Sequence, residues 1–154
     1  MDPFSEQAVE ILESLASAYH RLRSFGYEMY RKNSLETWAS SALFSGSPFT
    51  IHHENSAPEV FSRCLPVGVH VKLRDGRSVE WGLELLWDRA RWTVSAEIRL
   101  ETTDESILIH EFPVRSSRTI GDCVEHIQEL TGELVAREDI LSDPRIAGNP
   151  GPSS

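Results

Sequence analysis

The stretch Trp92-Thr93-Val94-Ser95-Ala96-Glu97-Ile98-Arg99-Leu100 is apolar at every even position and polar at every odd one. Successive side chains on a strand point to opposite faces, so this is a strand with one buried face and one wet face. The segments around it repeat the pattern. Val67–Leu73 and Arg77–Trp87 precede it, and a fourth segment follows it, ending at Val114. Arg74-Asp75-Gly76 is a three-residue loop with glycine where the left-handed conformation is needed, a common hairpin closure. Asp88 to Arg91 and Thr102-Thr103-Asp104-Glu105 close the next two hairpins. These turns set Val71 opposite Val79, Val69 opposite Trp81, Leu85 opposite Val94 and Trp81 opposite Ile98. They also set Leu100 opposite Ile107 and Ile98 opposite Ile109. Apolar meets apolar throughout, and a slip of one residue would turn every pair inside out.

The same register predicts the wet face in rows. One row runs His70, Glu80, Arg99, Leu108. A second runs Gly82, Glu97, His110, and a third Glu84, Ser95, Phe112. Glu80, Glu84, Glu97 and Glu101 there outnumber Lys72 and Arg99. Leu86, Leu108 and Phe112 add apolar groups that a solvated face does not need. Apolar anchors ringed by acids are what a protein-binding surface presents. The candidate partner-binding residues are therefore Glu80, Glu84, Leu86, Glu97, Arg99, Leu108, His110 and Phe112. A Glu80–Arg99 cross-strand pair would contribute a few tenths of a kcal/mol to the fold alone.

Helices are expected at both ends. Asp2-Pro3 is an N-cap followed by proline at the first helical position. Ala8, Ile11, Leu12, Leu15, Ala18, Tyr19 and Leu22 then form one apolar stripe. This helix is expected to end or bend around Ser24-Phe25-Gly26. A second helical piece, capped by Ser34, is expected over Tyr27–Leu43, then a short strand at Phe49–His52 and a loop over Glu54–Pro66. At the other end Thr119-x-x-Asp122 resembles a capping box with aspartate in place of glutamate. Ile120, Cys123, Val124, Ile127, Leu130 and Leu134 form the stripe of that last helix. The expected fold is α+β: a four-stranded antiparallel meander with N- and C-terminal amphipathic helices packed on one face. It forms one domain over residues 1–141, followed by a disordered tail, 142–154, rich in glycine and proline.

The bulk numbers narrow the function classes. The chain has 154 residues and a net charge of −9. That charge argues against nucleic acid or an anionic membrane as main partner, since both need a cationic surface, and it permits a basic protein. Two cysteines, Cys64 and Cys123, make neither a disulfide framework nor a zinc pair. No run reaches the ~18 apolar residues of a membrane span, and no signal peptide is read at the N-terminus. A cytoplasmic protein with reduced thiols is expected.

Several residues invite chemistry. His52-His53-Glu54 has metal-binding residue types, but neighbours on a strand point to opposite faces and no third ligand has suitable spacing. Cys123 near a helix N-terminus, with His126 a turn later, has the minimum for a Cys/His nucleophile, yet Cys123 also fits the buried stripe. Glu97 beside His110 would make an acid–base pair if a cleft enclosed it. Nucleotide signatures are absent from the sequence. No cofactor or metal is expected. The expected function is a non-enzymatic protein-binding module, of the bacterial immunity or antitoxin type, that neutralises a basic partner through the acidic sheet face. Alternatives are a homodimeric small-molecule-binding or catalytic domain with a pocket near His70, Glu97 and His110, and an acidic dimer resembling a secretion chaperone. These analogies rest on size, charge and architecture.

Overall fold

The computed structural model describes residues 3–41, 64–88 and 91–147. The expected Asp2 cap, the Phe49–His52 strand and His52-His53-Glu54 lie outside the described residues. The chain folds as α+β with an antiparallel sheet.

Helix α1 spans Pro3–Asn33 and does not stop at Gly26. Ile11, Leu15, Ala18, Leu22, Phe25 and Met29 are all buried, so the stripe continues through the glycine. A Cβ on Gly26 would lie 2.6 Å from Val69 Cγ2. Here glycine is a close-packing residue and not a terminator. The real stop is Ser34, with φ of 56° and its N–H donating to Tyr30 O at 2.8 Å. Asn33 Nδ2 adds a bond to Met29 O at 3.1 Å, so two late carbonyls are satisfied. Ser34 therefore ends a helix, where the sequence suggested it began one. Beyond it lies a strand, β1 (Thr37–Ser41), in place of the expected helix.

β2 (Cys64–Lys72), β3 (Ser78–Asp88) and β4 (Arg91–Glu101) follow. Their observed pairs include Val71↔Val79, Val69↔Trp81, Leu85↔Val94 and Trp81↔Ile98, as the alternation predicts. β1 adds to the outer side of β2, with Trp38 opposite His70. β5 (Ser106–Glu111) pairs with one end of β4 and β6 (Arg115–Ser117) with the other. The expected four strands are thus six among the described residues.

The fourth expected strand departs from its predicted register. Leu100↔Ile107 and Arg99↔Leu108 hold, but the next pair is Ile98↔His110. Ile109 is the extra residue of a β-bulge. His110 consequently enters the inward register and Glu111 takes the place opposite Glu97. The Phe112 N–H donates to Ala96 O at 3.0 Å, and Phe112 is only 5% exposed. The bulge lets this segment, apolar on both faces, bury Ile109 and Phe112 together. Pro113, which lacks an N–H, then separates β5 from β6.

Helix α2 (Ile120–Val135) is capped as expected, with the Thr119 hydroxyl accepting from the Asp122 N–H at 3.2 Å. It buries Cys123, Ile127, Leu130, Thr131 and Leu134. α1 packs against β1, β2 and α2, and α2 against β3, β4 and β6. Between them lies the inward row Val69, Val71, Val79, Trp81, Leu83, Leu85, Val94 and Ile98. Each such side chain contributes roughly 1.5–3 kcal/mol by leaving water. Trp81 is fully buried, meets Phe25 edge-on at 5.4 Å and donates from Nε1 to Arg137 O at 3.2 Å. The chain stays packed from residue 142 to residue 147, and residues 148–154 of the expected tail lie outside the described residues. A 3₁₀ turn (Glu138–Ser142) and a short helix α3 (Pro144–Ala147) bury Ile140 and Ile146. Arg77 reaches across to donate to Arg145 O and Ile146 O at 3.0 and 2.9 Å.

Candidate functional site

The other face of the sheet carries the polar members of each alternating strand. Its central row reads Trp38, His70, Glu80, Arg99, Leu108 across five strands. The next reads Ser40, Gly68, Gly82, Glu97, Glu111. Pro66, Glu84 and Ser95 follow, and then Cys64, Leu86 and Thr93. The predicted rows therefore stand across β2, β3 and β4 and fail only past the bulge.

The structure brings Glu80, Glu84, Glu97, Arg99 and Leu108 onto one face. It sets Leu86 beside Cys64 and Thr93 at one end. Leu86 and Leu108 are 37% and 39% exposed. His110 and Phe112 are not part of this face. Their rings contact each other at 4.5 Å, and His110 acts on Asp139 of the helical layer. The Glu97–His110 acid–base pair and the His70/Glu97/His110 pocket are therefore not assembled. Glu111, which the sequence reading passed over, stands opposite Glu97 instead.

Charges on this face are unevenly compensated. Arg99 donates from Nε to Glu97 Oε1 and from Nη1 to Ser106 Oγ. It thus serves the glutamate two places before it on its own strand; Glu80 and Arg99 stand opposite each other as expected, but among the described residues the hydrogen bond of the Arg99 Nε goes to Glu97. Glu80 is left with His70 Nε2 at 3.6 Å. Burial pushes the Glu80 carboxyl above the usual range, helped by Glu101 and Glu97 and opposed by Arg99. Burial also lowers His70, with Glu101 opposing, which disfavours a charged imidazole beside Glu80. His70 is held instead by Ser40 Oγ, 3.2 Å from Nε2, and by Trp38, stacked parallel at 5.0 Å. Glu101 Oε2 is enclosed with no hydrogen-bond partner among the described residues. Five carboxylates, Glu80, Glu84, Glu97, Glu101 and Glu111, face Arg99 and Lys72 here.

A hollow of about 200 Å³ opens in the middle of this face, lined by Pro66, Glu80, Gly82, Glu84, Ser95 and Glu97. Gly68 and Gly82 are direct cross-strand partners and bring no side chain of their own to this point; the Glu80 carboxyl lies over them, its Oε2 3.2 Å and 3.7 Å from where their Cβ atoms would stand. At its edge Cys64 Sγ donates to Glu84 Oε2 at 2.8 Å. Burial, then this bond and the Glu84 charge, push the Cys64 thiol up to about 12. It remains a neutral donor and a poor nucleophile.

The second candidate thiol behaves alike. Cys123 is buried in the α2 stripe, and burial raises it to about 11. The shift is opposite to the lowering that a helix N-terminus would give, and no hydrogen bond joins Cys123 to His126 among the described residues. No cluster of three or more His, Cys, Asp or Glu suited to a metal occurs among the described residues. No helix among them is long and apolar enough to cross a membrane.

Sequence reasoning missed Trp38, 43% exposed on β1, because it placed that segment in a helix. It also missed the Gly68–Gly82 pairing, although the β2–β3 register it derived already implied it. No protein-family model, curated protein or solved structure matches the chain.

Proposed function

We propose that this protein is a non-enzymatic binding module, of the immunity or antitoxin kind, acting in the cytoplasm on a basic protein partner. The observation that carries the reading is the surplus of carboxylates on the polar sheet face, with Glu80 lacking a charged hydrogen-bond partner. A structural ion-pair network would match its charges. This face does not, and a cationic partner would complete it. Leu86, Leu108 and Trp38 supply exposed apolar area around the acids, and Tyr and Trp contacts commonly anchor interfaces. The long-range field of the −9 chain would steer a basic partner toward the face and speed encounter.

The alternatives fare differently. A homodimer through this face would set its glutamates against their own copies across a two-fold axis, which is repulsive. A secretion-chaperone-like dimer would use another surface. Tyr27 and Tyr30 on α1, both exposed, line a 510 Å³ hollow with Trp38 and are the residues that favour it.

The test is association kinetics with a partner captured at low salt, comparing the native chain with the combined Glu80→Lys, Glu84→Lys and Glu97→Lys variant. The expected result is an association rate lower by about ten- to hundredfold and a flat salt dependence. A folded variant that associates at the native rate would overturn the reading. The corresponding triple glutamine variant serves if charge reversal prevents folding.

A further inference from the structure

We infer that the hollow over Gly82 is a socket for a single arginine side chain presented by the partner. This inference rests on the reading of the acidic face as the binding surface. Three observations meet at the hollow.

The first is the unexplained glycine. Glycine in a strand interior weakens the strand, and it often marks a place where a ligand approaches the backbone. Gly68 has a reason within the fold, since a Cβ there would lie 3.2 Å from both Glu80 Oε2 and Trp81 O. Gly82 has none. Its φ is not positive, and the nearest atom to a Cβ there is 3.7 Å away, an ordinary contact. The fold would accept a methyl group at 82.

The second is size. At about 200 Å³ the space is below the ~300–1,000 Å³ of sites that enclose drug-sized ligands. It has room for the end of one long side chain.

The third is the lining. Glu80, Glu84 and Glu97 stand around the floor, with Ser95 beside them. A guanidinium carries five donors in a planar fork and pairs bidentately with carboxylates. It is also less strongly hydrated than an ammonium group, which favours it where a carboxylate is already two-thirds withdrawn from water, as the Glu80 side chain is at 33% exposed.

The experiment is an amide NMR titration of the full ¹⁵N-labelled chain with N-acetyl-arginine amide, against N-acetyl-lysine amide and N-acetyl-citrulline amide. The expected result is saturable shifts at Gly68, Gly82 and Ser95 with the arginine probe, weaker ones with lysine and none with citrulline. In Gly82→Val these shifts should vanish while the melting temperature equals or exceeds that of the native chain. Gly82→Ala, whose added methyl meets nothing closer than 3.7 Å, is the second variant should valine disturb the sheet. The socket is overturned if arginine moves no amide of the hollow, if lysine moves them equally, or if a folded Gly82 variant responds like the native chain. Loss of partner association on charge reversal, alongside a silent hollow, would sink the socket and leave the acidic face standing.

Discussion

Acidic residues live two different lives in this molecule. On the helical layer and the β2–β3 hairpin the described ion pairs give the acids a cation. Glu28 has Arg31, Asp75 has Arg77, Asp139 has Arg137 and Asp143 has Arg145. Arg115 of β6 holds both Glu129 and Glu133 of α2. In the first four the arginine hydrogen bond holds the carboxyl below its usual range. On the polar sheet face Glu80 goes the other way, raised by burial and by its acidic neighbours. Four of these arginines serve an acid two or three residues away, and Arg115 joins β6 to α2. The sheet face is left short of cations, and that imbalance is the observation behind the proposed binding role.

The largest effect should come from asking which face carries the fold. Trp81→Ala removes a fully buried indole, its edge contact with Phe25 and its bond to Arg137 O. The expected loss is about 3–5 kcal/mol in urea denaturation. Leu108→Ala, on the polar face, should fall within roughly half a kcal/mol. Comparable losses for the two would mean that the polar face is a second core and would remove the case for a free surface.

A middle-sized effect belongs to the paired region. Arg77 ties the hairpin to the chain end through Arg145 O and Ile146 O, besides its own Asp75. Arg77→Ala should cost about 1–2 kcal/mol, in the range of hydrogen bonds to a charged group. It should also release α3 first, seen as faster exchange at the Ile146 and Ala147 amides, which donate to Asp143 O. Unchanged exchange at those amides would show that Ile146 burial alone holds the segment.

What could be read from the sequence divides along the same lines. The β2–β3–β4 register was legible because each strand is apolar on one face only and each turn has a countable length. The acids of the polar sheet face followed from it by parity. The bulge was not legible, because Ile107, Leu108 and Ile109 are apolar in a row and parity carries no information there. Its consequence was large: His110 and Phe112 left the face and Glu111 entered it. Gly26 misled for a different reason. A glycine inside a helical stripe looks the same whether it ends the helix or lets it approach Val69, and only the sheet beneath decides. β1 is five residues long, too short for alternation to outweigh the helical neighbours before it.

The smallest effect is the sharpest test of the comparison, because its sign differs between the regions. A carboxylate raised by folding binds its proton more tightly in the folded state. Stability therefore falls as pH rises from the unfolded value, near 4.5, through the raised folded one, and stays lower above it. Glu80→Gln removes that cost, so it should stabilise the protein at neutral pH and lose its effect in acid. Asp75 is the reverse. Its lowered carboxyl contributes stability above its unfolded value, near 3.8, and that contribution is lost as pH falls through the folded value. Asp75→Asn should therefore destabilise at neutral pH and become neutral in acid. Both changes should stay within roughly half to one kcal/mol, since both groups keep contact with water. Urea midpoints of the two variants, taken from pH 3 to pH 8, give two curves of opposite sign. Two curves of the same sign would mean that Glu80 already has its counterion within the chain, and the sheet face would then have no cation to seek.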